Sequence, residues 1–328
     1  MENQINRRTI LGAGAALAAT ASIASSSLAQ AEPNSLSGQS VLITGCSSGF
    51  GYLIALRCAR LGAKVVASMR NLPRPEADTL HMAAKDLDLH IVEIDVTNDI
   101  SVTTGTEAAI SLIGGAPDIL INNAGLAIVG PLEAQDLDAT RLIYETNVFG
   151  YQRMIRAILP GMRHRGSGHI VNMSSQSGRL IWPGLGHYCP TKFAVEAMSD
   201  TLAYEVADKG IDVTLIQPGG YPTAFWNNRE TLTGALKKRS DPKHLNGYGA
   251  MSDNMGSGRV PQLTGDPMDV PEAIARSLVS PQGQRPHRVM VSASRHPQET
   301  INQTHRETHL NFLGRGPFGD AARKVHNS

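Results

Sequence analysis

The chain has 328 residues, with 30 Lys and Arg against 29 Asp and Glu, and a formal net charge of +1. Binding to a nucleic-acid backbone needs concentrated positive charge, and the absence of a long basic run argues against that class of function. Hydrophobic residues make up 41% and charged residues 18% of the chain, a composition that supports a large core and excludes wholesale disorder.

Residues 1–31 have the layout of an export signal. Arg7 and Arg8 precede a stretch rich in Ala, Leu and Gly, and residues 29–31 read Ala-Gln-Ala, a small-residue cleavage site. Residues 6–11 resemble a twin-arginine signal, which implies transport to the periplasm and cleavage after Ala31. The alternatives are a disordered or helical arm on a cytoplasmic protein, or a membrane anchor with an apolar run that serines interrupt. No other run approaches membrane-spanning length, so we expect no membrane span in the mature chain.

From Ser40 onward, short β-branched runs alternate with amphipathic stretches, which predicts a parallel sheet covered by helices on both faces. The expected fold is a single α/β domain over residues 38–291, a Rossmann-type doubly wound sheet of about seven strands. Residues 224–269 lack a clear pattern and are interpreted as a long substrate loop, and residues 292–328 as a polar surface tail. The predicted strands are Val41–Thr44, Lys64–Ser68, Leu89–Ile94, Ile119–Asn122, His169–Met173, Asp212–Gln217 and Arg288–Val291.

The turn after the first strand is rich in glycine and leads directly into a helical pattern that Gly62 closes. Glycines at such a turn let the backbone approach a pyrophosphate, and the helix N-terminus offers N–H groups to its charge. A tight strand-to-helix turn alone also needs glycine, but the βαβ context favours a dinucleotide site. The cofactor-binding residues predicted here are Thr44, Gly45, Ser47, Ser48, Gly49, Phe50 and Gly51.

The TGxxxGxG spacing of this turn resembles the short-chain dehydrogenase/reductase family, in its compact single-domain branch. Further motifs follow in the family's order: Asp95-Val96, the NNAG turn of residues 122–125, the YxxxK of residues 188–192 and Pro218-Gly219. The resemblance covers about residues 38–291. It implies the catalytic tetrad Asn147, Ser175, Tyr188 and Lys192, and further cofactor contacts from Asp95, Val96, Asn123, Ala124, Gly125, Tyr188, Lys192, Pro218, Gly219 and Thr223.

The same resemblance implies a nicotinamide cofactor, a small alcohol or carbonyl substrate, and a homo-oligomer, either a dimer or a tetramer. Two stretches depart from the family pattern. Pro190-Thr191 replaces the commoner small pair inside YxxxK, where proline near a helix start costs little, and residues 220–223 are an unusual continuation after Pro218-Gly219.

The chemistry of the tetrad also follows from the residues themselves. Tyr188 and Lys192 are four apart and therefore share one helical face. A tyrosine with a pKa of about 10 is a poor base at neutral pH, and a neighbouring ammonium favours its phenolate. Ser175 is expected to orient the substrate oxygen while Tyr188 exchanges a proton as hydride passes between substrate and nicotinamide. Each residue taken alone has a purely structural interpretation, which their joint spacing disfavours.

Cofactor preference depends on the end of the second strand, which exits as Ser68-Met69-Arg70-Asn71 without an acidic residue. An acid there would bind the ribose hydroxyls and repel a 2′-phosphate. Arg70 can pair with phosphate through its planar guanidinium, so we expect a preference for NADP(H), with NAD(H) possible. The alternative is an arginine that only caps the sheet edge.

The remaining candidates are weaker. His187 is interpreted as a residue of the pocket rim, and residues 237–239 as a solvated basic surface. The three cysteines occur in no metal-binding spacing, so we predict no metal site and expect buried, reduced thiols. The apolar residues expected to flank the substrate opening, or to anchor loops there, are Leu180, Ile181, Trp182, Leu185, Phe225 and Trp226.

The sequence thus predicts an NAD(P)(H)-dependent oxidoreductase that interconverts an alcohol and a ketone or aldehyde, with Tyr188 as acid/base. A non-catalytic NADP(H)-binding sensor or scaffold of the same fold is the alternative. The intact Tyr188 and Lys192 pair argues against it, because a sensor needs no proton donor or acceptor.

Overall fold

The computed structural model of the protein describes residues 36–259 and 261–326. The expected export signal, residues 1–31, lies outside them. Within the described residues, seven parallel strands form one sheet in the order β3-β2-β1-β4-β5-β6-β7. The strands are β1 Ser40–Ile43, β2 Lys64–Met69, β3 Leu89–Glu93, β4 Ile119–Asn122, β5 Gly168–Met173, β6 Ile211–Pro218 and β7 Arg288–Val291. All seven predicted strands are confirmed, and the Rossmann-type doubly wound fold with them.

The strand order reverses direction at β1, which lies between β2 and β4. The pairing of Ile43 with Ala67 and with Ile121 brings the carboxyl ends of these three strands to the same edge of the sheet. Ligands of doubly wound sheets bind at such a switch point, outside the carboxyl ends of the strands. The topology therefore predicts a ligand site at the turns that follow β1 and β4.

Helices cover both faces of the sheet. Between α4 and α5, residues Glu145–Phe149 form a π-helical turn. The helices of the described chain are α1 Gly49–Arg60, α2 Pro75–Ala83, α3 Asp99–Ile113, α4 Leu137–Tyr144, α5 Gly150–Arg165, α6 Tyr188–Val206, α7 Phe225–Arg239, α8 Ala250–Asp253, α9 Asp269–Val279, α10 Glu299–Leu313 and α11 Gly319–His326. Among them, none is both long and apolar enough to cross a bilayer.

Two apolar clusters, one on each face, form the main core. Ile43 belongs to the cluster that also contains Ile54 of α1 and Ile274 of α9. Its neighbour Leu42 points to the other face, into the cluster that contains Met154 of α5. Because successive residues of a strand point to opposite faces, both of which are covered, the strands are nearly continuous apolar runs.

The expected long loop at residues 224–269 is wrong as stated, since the segment contains α7, α8 and the start of α9. In α7 only Thr233 and Leu236 are buried among its described side chains. A helix with so few buried positions has no apolar stripe, and periodicity could not identify it.

The expected polar tail at residues 292–328 is also wrong, because α10 and α11 occupy most of it. None of the side chains of α10, all within the described chain, is fully buried. In α11, Ala322, Val325 and His326 are buried, so this helix packs against the domain rather than lying free on its surface. Like α7, α10 has no buried apolar stripe, so periodicity could not identify it.

Candidate active site

Hydrogen bonds join the turn after β1 to the turn after β4. The buried Thr44 hydroxyl accepts the backbone N–H groups of Asn123 and Ala124, both at 3.0 Å. In return, the side-chain amide of Asn123 donates to the carbonyl oxygens of Thr44 at 2.9 Å and Gly45 at 3.2 Å. The glycine-rich turn and the NNAG turn are therefore one rigid unit at the switch point of the sheet.

Glycine is required at two positions of this unit. Gly45 has a φ of +74°, and a Cβ there would lie 2.8 Å from the Cα of Ala124. A Cβ on Gly51 would lie 2.3 Å from the carbonyl oxygen of Gly45. The absence of side chains leaves a bare backbone surface that a ligand can approach closely.

The N-terminus of α1 opens onto this surface. Ser48 is the N-cap, and in the described chain its side chain makes no capping hydrogen bond and the first turn holds no acid. Thr223 lies beside Gly49, 3.6 Å from where a Cβ on that glycine would stand. A helix N-terminus with free N–H groups and no competing carboxylate suits a phosphate. The arrangement therefore fits the pyrophosphate of a dinucleotide.

The end of β2 lies beside the glycine turn, since the N–H of Cys46 donates to the carbonyl of Ser68 at 2.9 Å. Arg70 follows and is exposed, and among the described residues no ion pair or hydrogen bond engages its side chain. A carboxylate from the adjacent strand lies at this strand end, because Glu93 of β3 accepts the N–H of Asn71 at 3.1 Å. Sequence reasoning missed Glu93, which only the β2–β3 register brings to this place.

Asp95 and Val96 shape the turn after β3. The Asp95 carboxylate accepts the backbone N–H and the hydroxyl of Thr97, at 2.9 Å and 2.8 Å. Val96 is buried against Gly150 at the start of α5. Both residues therefore lie at the cofactor edge of the sheet, with the Asp95 carboxylate already engaged in its own turn.

Asn147 lies in the π-helical turn and is fully buried. Its amide oxygen accepts the N–H of Leu126 at 2.9 Å, and its amide nitrogen donates to the carbonyl of Leu126 at 2.9 Å and the hydroxyl of Thr191 at 3.1 Å. Single π turns are frequent at functional sites. In this π-helical turn the Asn147 side chain links Leu126, which follows the NNAG turn, to Thr191 of α6. Thr191, one of the two departures inside YxxxK, is the partner on α6.

Ser175, Tyr188 and Lys192 meet where β5 ends and α6 begins. Ser175 accepts the N–H of Ser177 at 3.0 Å and makes a hydrogen bond with Tyr188. The buried Lys192 donates from Nζ to the carbonyl of Met173 at 2.7 Å. Its Nζ lies 6.0 Å from the centre of the Tyr188 ring. Asn147 binds Thr191, which lies between Tyr188 and Lys192 in the chain. The structure thus brings the predicted tetrad together beside the glycine unit.

Burial is the main influence on the protonation of this pair. Burial raises the pKa of Tyr188 to about 12, and the hydrogen bond from Ser175 only partly opposes this. Burial lowers the pKa of Lys192 to about 8, against the attraction of Glu196. The Lys192 ammonium, which the sequence expects to favour the phenolate together with a cationic nicotinamide, donates here to the Met173 carbonyl. Tyr188 is therefore neutral and can donate a proton.

An apolar cluster adjoins Tyr188. Phe225 of α7 has its ring centre 5.9 Å from that of Tyr188, while Ile181 and Trp182 are 74% and 40% exposed nearby in sequence. Phe225 of α7 therefore lies beside Tyr188, where the sequence predicts either an apolar substrate opening or a loop anchor. The buried members of the cluster are Leu126, Ile128, Ala134, Ala139, Ile143, Leu236 and Met255.

Trp226 serves as a loop anchor instead. Its indole N–H donates to the carbonyl of Tyr221 at 2.8 Å, and the Arg229 guanidinium lies 4.6 Å from its ring centre. The Tyr221 ring packs edge-on against Phe50 of the glycine turn, with ring centres 5.8 Å apart. The unusual continuation after Pro218-Gly219 is thus packed onto the cofactor turn.

His187 is half-buried, as expected for a rim residue, with its ring 5.8 Å from that of Tyr144. Burial lowers its pKa, so it is neutral at physiological pH. The basic run of α7 is only partly solvated, because Arg239 pairs with Asp136 at 2.6 Å. All three cysteines are free and buried, which confirms the expectation for them.

Residues 39–232 match the model of the short chain dehydrogenase family. Retinol dehydrogenase 8 of Homo sapiens is 40% identical over 195 residues, which are 57% of this chain and 60% of that protein. The 3-ketodihydrosphingosine reductase of Bacteroides thetaiotaomicron is 40% identical over 205 residues, 62% of this chain and 72% of that protein. A short chain dehydrogenase/reductase from Burkholderia phymatum, solved in complex with NAD, superposes with a TM-score of 0.66 at 25% identity, covering 86% of this chain and 97% of that one.

Proposed function

Because the chain belongs to the short chain dehydrogenase family, we propose that it is a nicotinamide-dependent oxidoreductase that interconverts an alcohol and a ketone or aldehyde. The observation that carries the proposal is the neutral Tyr188, hydrogen-bonded to Ser175 and one helical turn from the buried Lys192. This arrangement presents a proton donor beside a backbone surface suited to a dinucleotide. A protein that only senses the cofactor has no need of that donor.

A bound nicotinamide supplies or accepts the hydride. The residues of the chain perform the remaining tasks. The glycine turn and the N-terminus of α1 bind the pyrophosphate through backbone N–H groups. Ser175 donates to the substrate oxygen and orients it, and Tyr188 gives its proton to that oxygen in reduction and takes it back in oxidation. Lys192 holds a positive charge near the reacting oxygen, and the Asn147 amide keeps α6 in register with the turn after β4.

We propose NADP(H) as the preferred cofactor and NAD(H) as the alternative. The support is the exposed Arg70 guanidinium, which has no partner among the described residues and directly follows β2, the strand whose end reads the ribose 2′ position in Rossmann-type folds. The nearby Glu93 carboxylate, which accepts the N–H of Asn71 through one oxygen, is the observation that favours NAD(H). The Burkholderia relative was solved with NAD, so the preference has to be measured on this chain.

The proposed substrate is a small or moderately apolar carbonyl compound or the matching alcohol. The apolar cluster beside Tyr188 and the Phe225 ring support this class. The names of the two relatives specify an alcohol, retinol, and a 3-keto compound. The chain spans about 60% of the length of retinol dehydrogenase 8, and the substrate is therefore proposed by chemical class only.

A panel of alcohols, ketones and aldehydes, assayed through NADPH and NADH absorbance, tests the proposal. We expect turnover of at least one apolar member, and faster turnover with NADPH. Fluorescence titration with NADPH is run on the same sample. Binding without turnover of any member would instead favour the sensor alternative, and absence of binding would reject both.

We further propose that Arg7 and Arg8 direct the folded, cofactor-loaded protein to the periplasm, with cleavage after Ala31. A nicotinamide nucleotide is made in the cytoplasm, so an exported enzyme must bind it before transport. Replacing both arginines by Lys keeps the charge and should leave active full-length protein in the cytoplasm. Normal processing of that variant, or a native N-terminus at Met1, would identify a cytoplasmic enzyme.

Light scattering on the processed protein tests the expected dimer or tetramer.

A further inference from the structure

Glu196 is a buried carboxylate on α6, one helical turn after Lys192, and only 1% exposed. Its Oε1 accepts the Ser174 hydroxyl at 2.6 Å and the side-chain amide of Gln217 at 2.8 Å. Its Oε2 faces Arg288 Nε at 3.0 Å and an Arg179 guanidinium nitrogen at 3.1 Å. A buried charge is tolerated only when it is paired and hydrogen-bonded, and these contacts meet that condition.

Both neutral donors stand next to site residues in the chain. Ser174 directly precedes Ser175 at the end of β5. Gln217 directly precedes Pro218 at the end of β6, and the Pro218 carbonyl lies 3.5 Å from the Ser175 hydroxyl. A single carboxylate therefore connects α6 to the strand ends that carry and flank Ser175. Because reacting groups must be placed to within a fraction of an ångström, a device that fixes this spacing affects the reaction strongly.

Asn302 of α10 supports Glu196 indirectly, through Gln217. Asn302 donates from its amide to the Gln217 side-chain oxygen at 2.8 Å, and Gln217 donates back to Asn302 at 3.4 Å. The reciprocal pair fixes the orientation of the Gln217 amide, whose nitrogen also binds Glu196. Asn302 lies beyond the residues that match the family model, so this support belongs to the C-terminal part of the chain.

Glu196 also acts on Lys192 through its charge. The two residues are four apart on α6, and the carboxylate raises the pKa of the Lys192 ammonium against the lowering effect of burial. The other charged groups facing Glu196 are Arg179 and Arg288, which are shared with Asp200. Removal of the Glu196 charge would leave the positive charges of both guanidiniums with less neighbouring negative charge. It would also lower the pKa of Lys192 further.

We propose that Glu196 is a positioning residue of the active site, which fixes Ser175 relative to Tyr188 and Lys192 through Ser174 and Gln217 and is supported by Asn302. The proposal rests on the proposed oxidoreductase function. Glu196 lies behind the reacting groups and acts through its neighbours. The positioning role predicts two effects of a Glu196 substitution that a purely structural role does not predict. One is a loss in kcat with little change in KM, and the other is a shifted pH profile of kcat/KM.

The first test is Glu196→Gln, with Glu205→Gln, an exposed carboxylate of the same helix, as the matched control. We expect kcat for carbonyl reduction to fall at least tenfold in Glu196→Gln, with KM for the carbonyl compound changed less than threefold. The fall of kcat/KM at high pH should begin at a lower pH than in the wild type, because Lys192 loses a neighbouring negative charge. An unchanged kcat together with an unchanged pH profile would overturn the proposal.

The second test covers the case in which Glu196→Gln does not fold. Ser174→Ala and Asn302→Ala each remove one support without removing charge, and Gln303→Ala on the exposed face of α10 is the control for the latter. We expect a loss in kcat of threefold or more in both variants, larger for Ser174→Ala. Wild-type kcat values in both variants would contradict the proposed connection.

Hydrogen–deuterium exchange of residues 173–178 gives a readout that needs no turnover. We expect faster exchange of this segment in Glu196→Gln and Ser174→Ala, and wild-type exchange in Glu205→Gln. If the wild-type protein reduces no carbonyl compound, the proposed function fails, and this local change alone decides whether Glu196 positions the segment. Exchange equal to that of the wild type would then reject the positioning role.

Discussion

The ammonium of Lys192 donates to the carbonyl oxygen of Met173 at 2.7 Å, and the same oxygen accepts the Tyr151 hydroxyl at 3.1 Å. The end of β5 therefore holds the lysine, and its Nζ stays 6.0 Å from the centre of the Tyr188 ring. The phenol, whose pKa burial raises to about 12, is left neutral. The phenol therefore carries the proton that the proposed acid role of Tyr188 requires.

The first prediction concerns that proton. Tyr188→Phe removes only the hydroxyl, so kcat should fall by about 10²- to 10⁴-fold, the usual contribution of a positioned acid or base. NADPH affinity, measured by fluorescence titration, should stay within a few fold of wild type. Tyr248→Phe, which loses only an exposed hydrogen bond to Glu133, is the control and should retain activity. Substantial turnover by Tyr188→Phe would show that another group supplies the proton.

The second prediction is the pH dependence of reduction. The pKa of Lys192 is lowered to about 8 and that of Tyr188 raised to about 12. As the pH rises through about 8, Lys192 loses its charge while Tyr188 still carries its proton. The value of kcat/KM, which reports the free enzyme, should therefore decline above about pH 8, well before the phenol ionises. A profile that stays flat from pH 6 to pH 10 would exclude a role for the Lys192 charge.

The third prediction separates the two cofactors. Arg70→Ala should raise KM for NADPH about tenfold or more, since hydrogen bonds to charged groups contribute about 1.5 to 3 kcal/mol, and hardly alter KM for NADH. Arg60→Ala, an exposed arginine at the far end of α1, should change neither. Equal effects of Arg70→Ala on both cofactors would mean that Arg70 supports the structure of the strand end.

The sequence predicted the strands because a sheet covered on both faces needs nearly continuous apolar runs. The resemblance to the short-chain dehydrogenase/reductase family implied the tetrad, and the four-residue spacing of Tyr188 and Lys192 placed two of its members on one helical face. The sequence did not predict the acid beside Asn71, since Glu93 comes from the neighbouring strand and only the register places it there. The expected phenolate, favoured by Lys192 together with a cationic nicotinamide, stays a prediction, and in the structure burial raises the pKa of Tyr188. Linear spacing does not record burial.

The C-terminal helices were missed for a related reason, since histidines and a tyrosine form much of their contact with α6. His309 of α10 and His326 of α11 both lie 2.7 Å from the Tyr204 hydroxyl. His305 lies 3.2 Å from a carboxylate oxygen of Asp200, which also pairs with His287 and Arg288. The residues of this contact are polar, although the structure largely buries them, so their hydrophobic pattern does not indicate the contact.

The fourth prediction follows from this histidine contact. Burial lowers the pKa of His305 to about 4 and of His326 to about 3, and lowers that of His309. Below the ordinary histidine value of about 6.5, the unfolded chain binds protons that the folded chain rejects. The stability is therefore fully present above about pH 6.5 and is lost as the pH falls from there towards 4. Urea unfolding at pH 7 and at pH 5 should show the lower free energy of unfolding at pH 5.

Variants locate the source of that loss. His305→Gln removes one of the three titrating groups, and should reduce the difference in unfolding free energy between pH 7 and pH 5. His81→Gln, an exposed histidine on α2, should leave the difference unchanged. Hydrogen–deuterium exchange should show α10 and α11 opening first as the pH falls, because the protons enter at their contact with α6. If the loss of stability at pH 5 is the same in both variants, or if exchange rises uniformly over the whole domain, the acid sensitivity does not arise from His305.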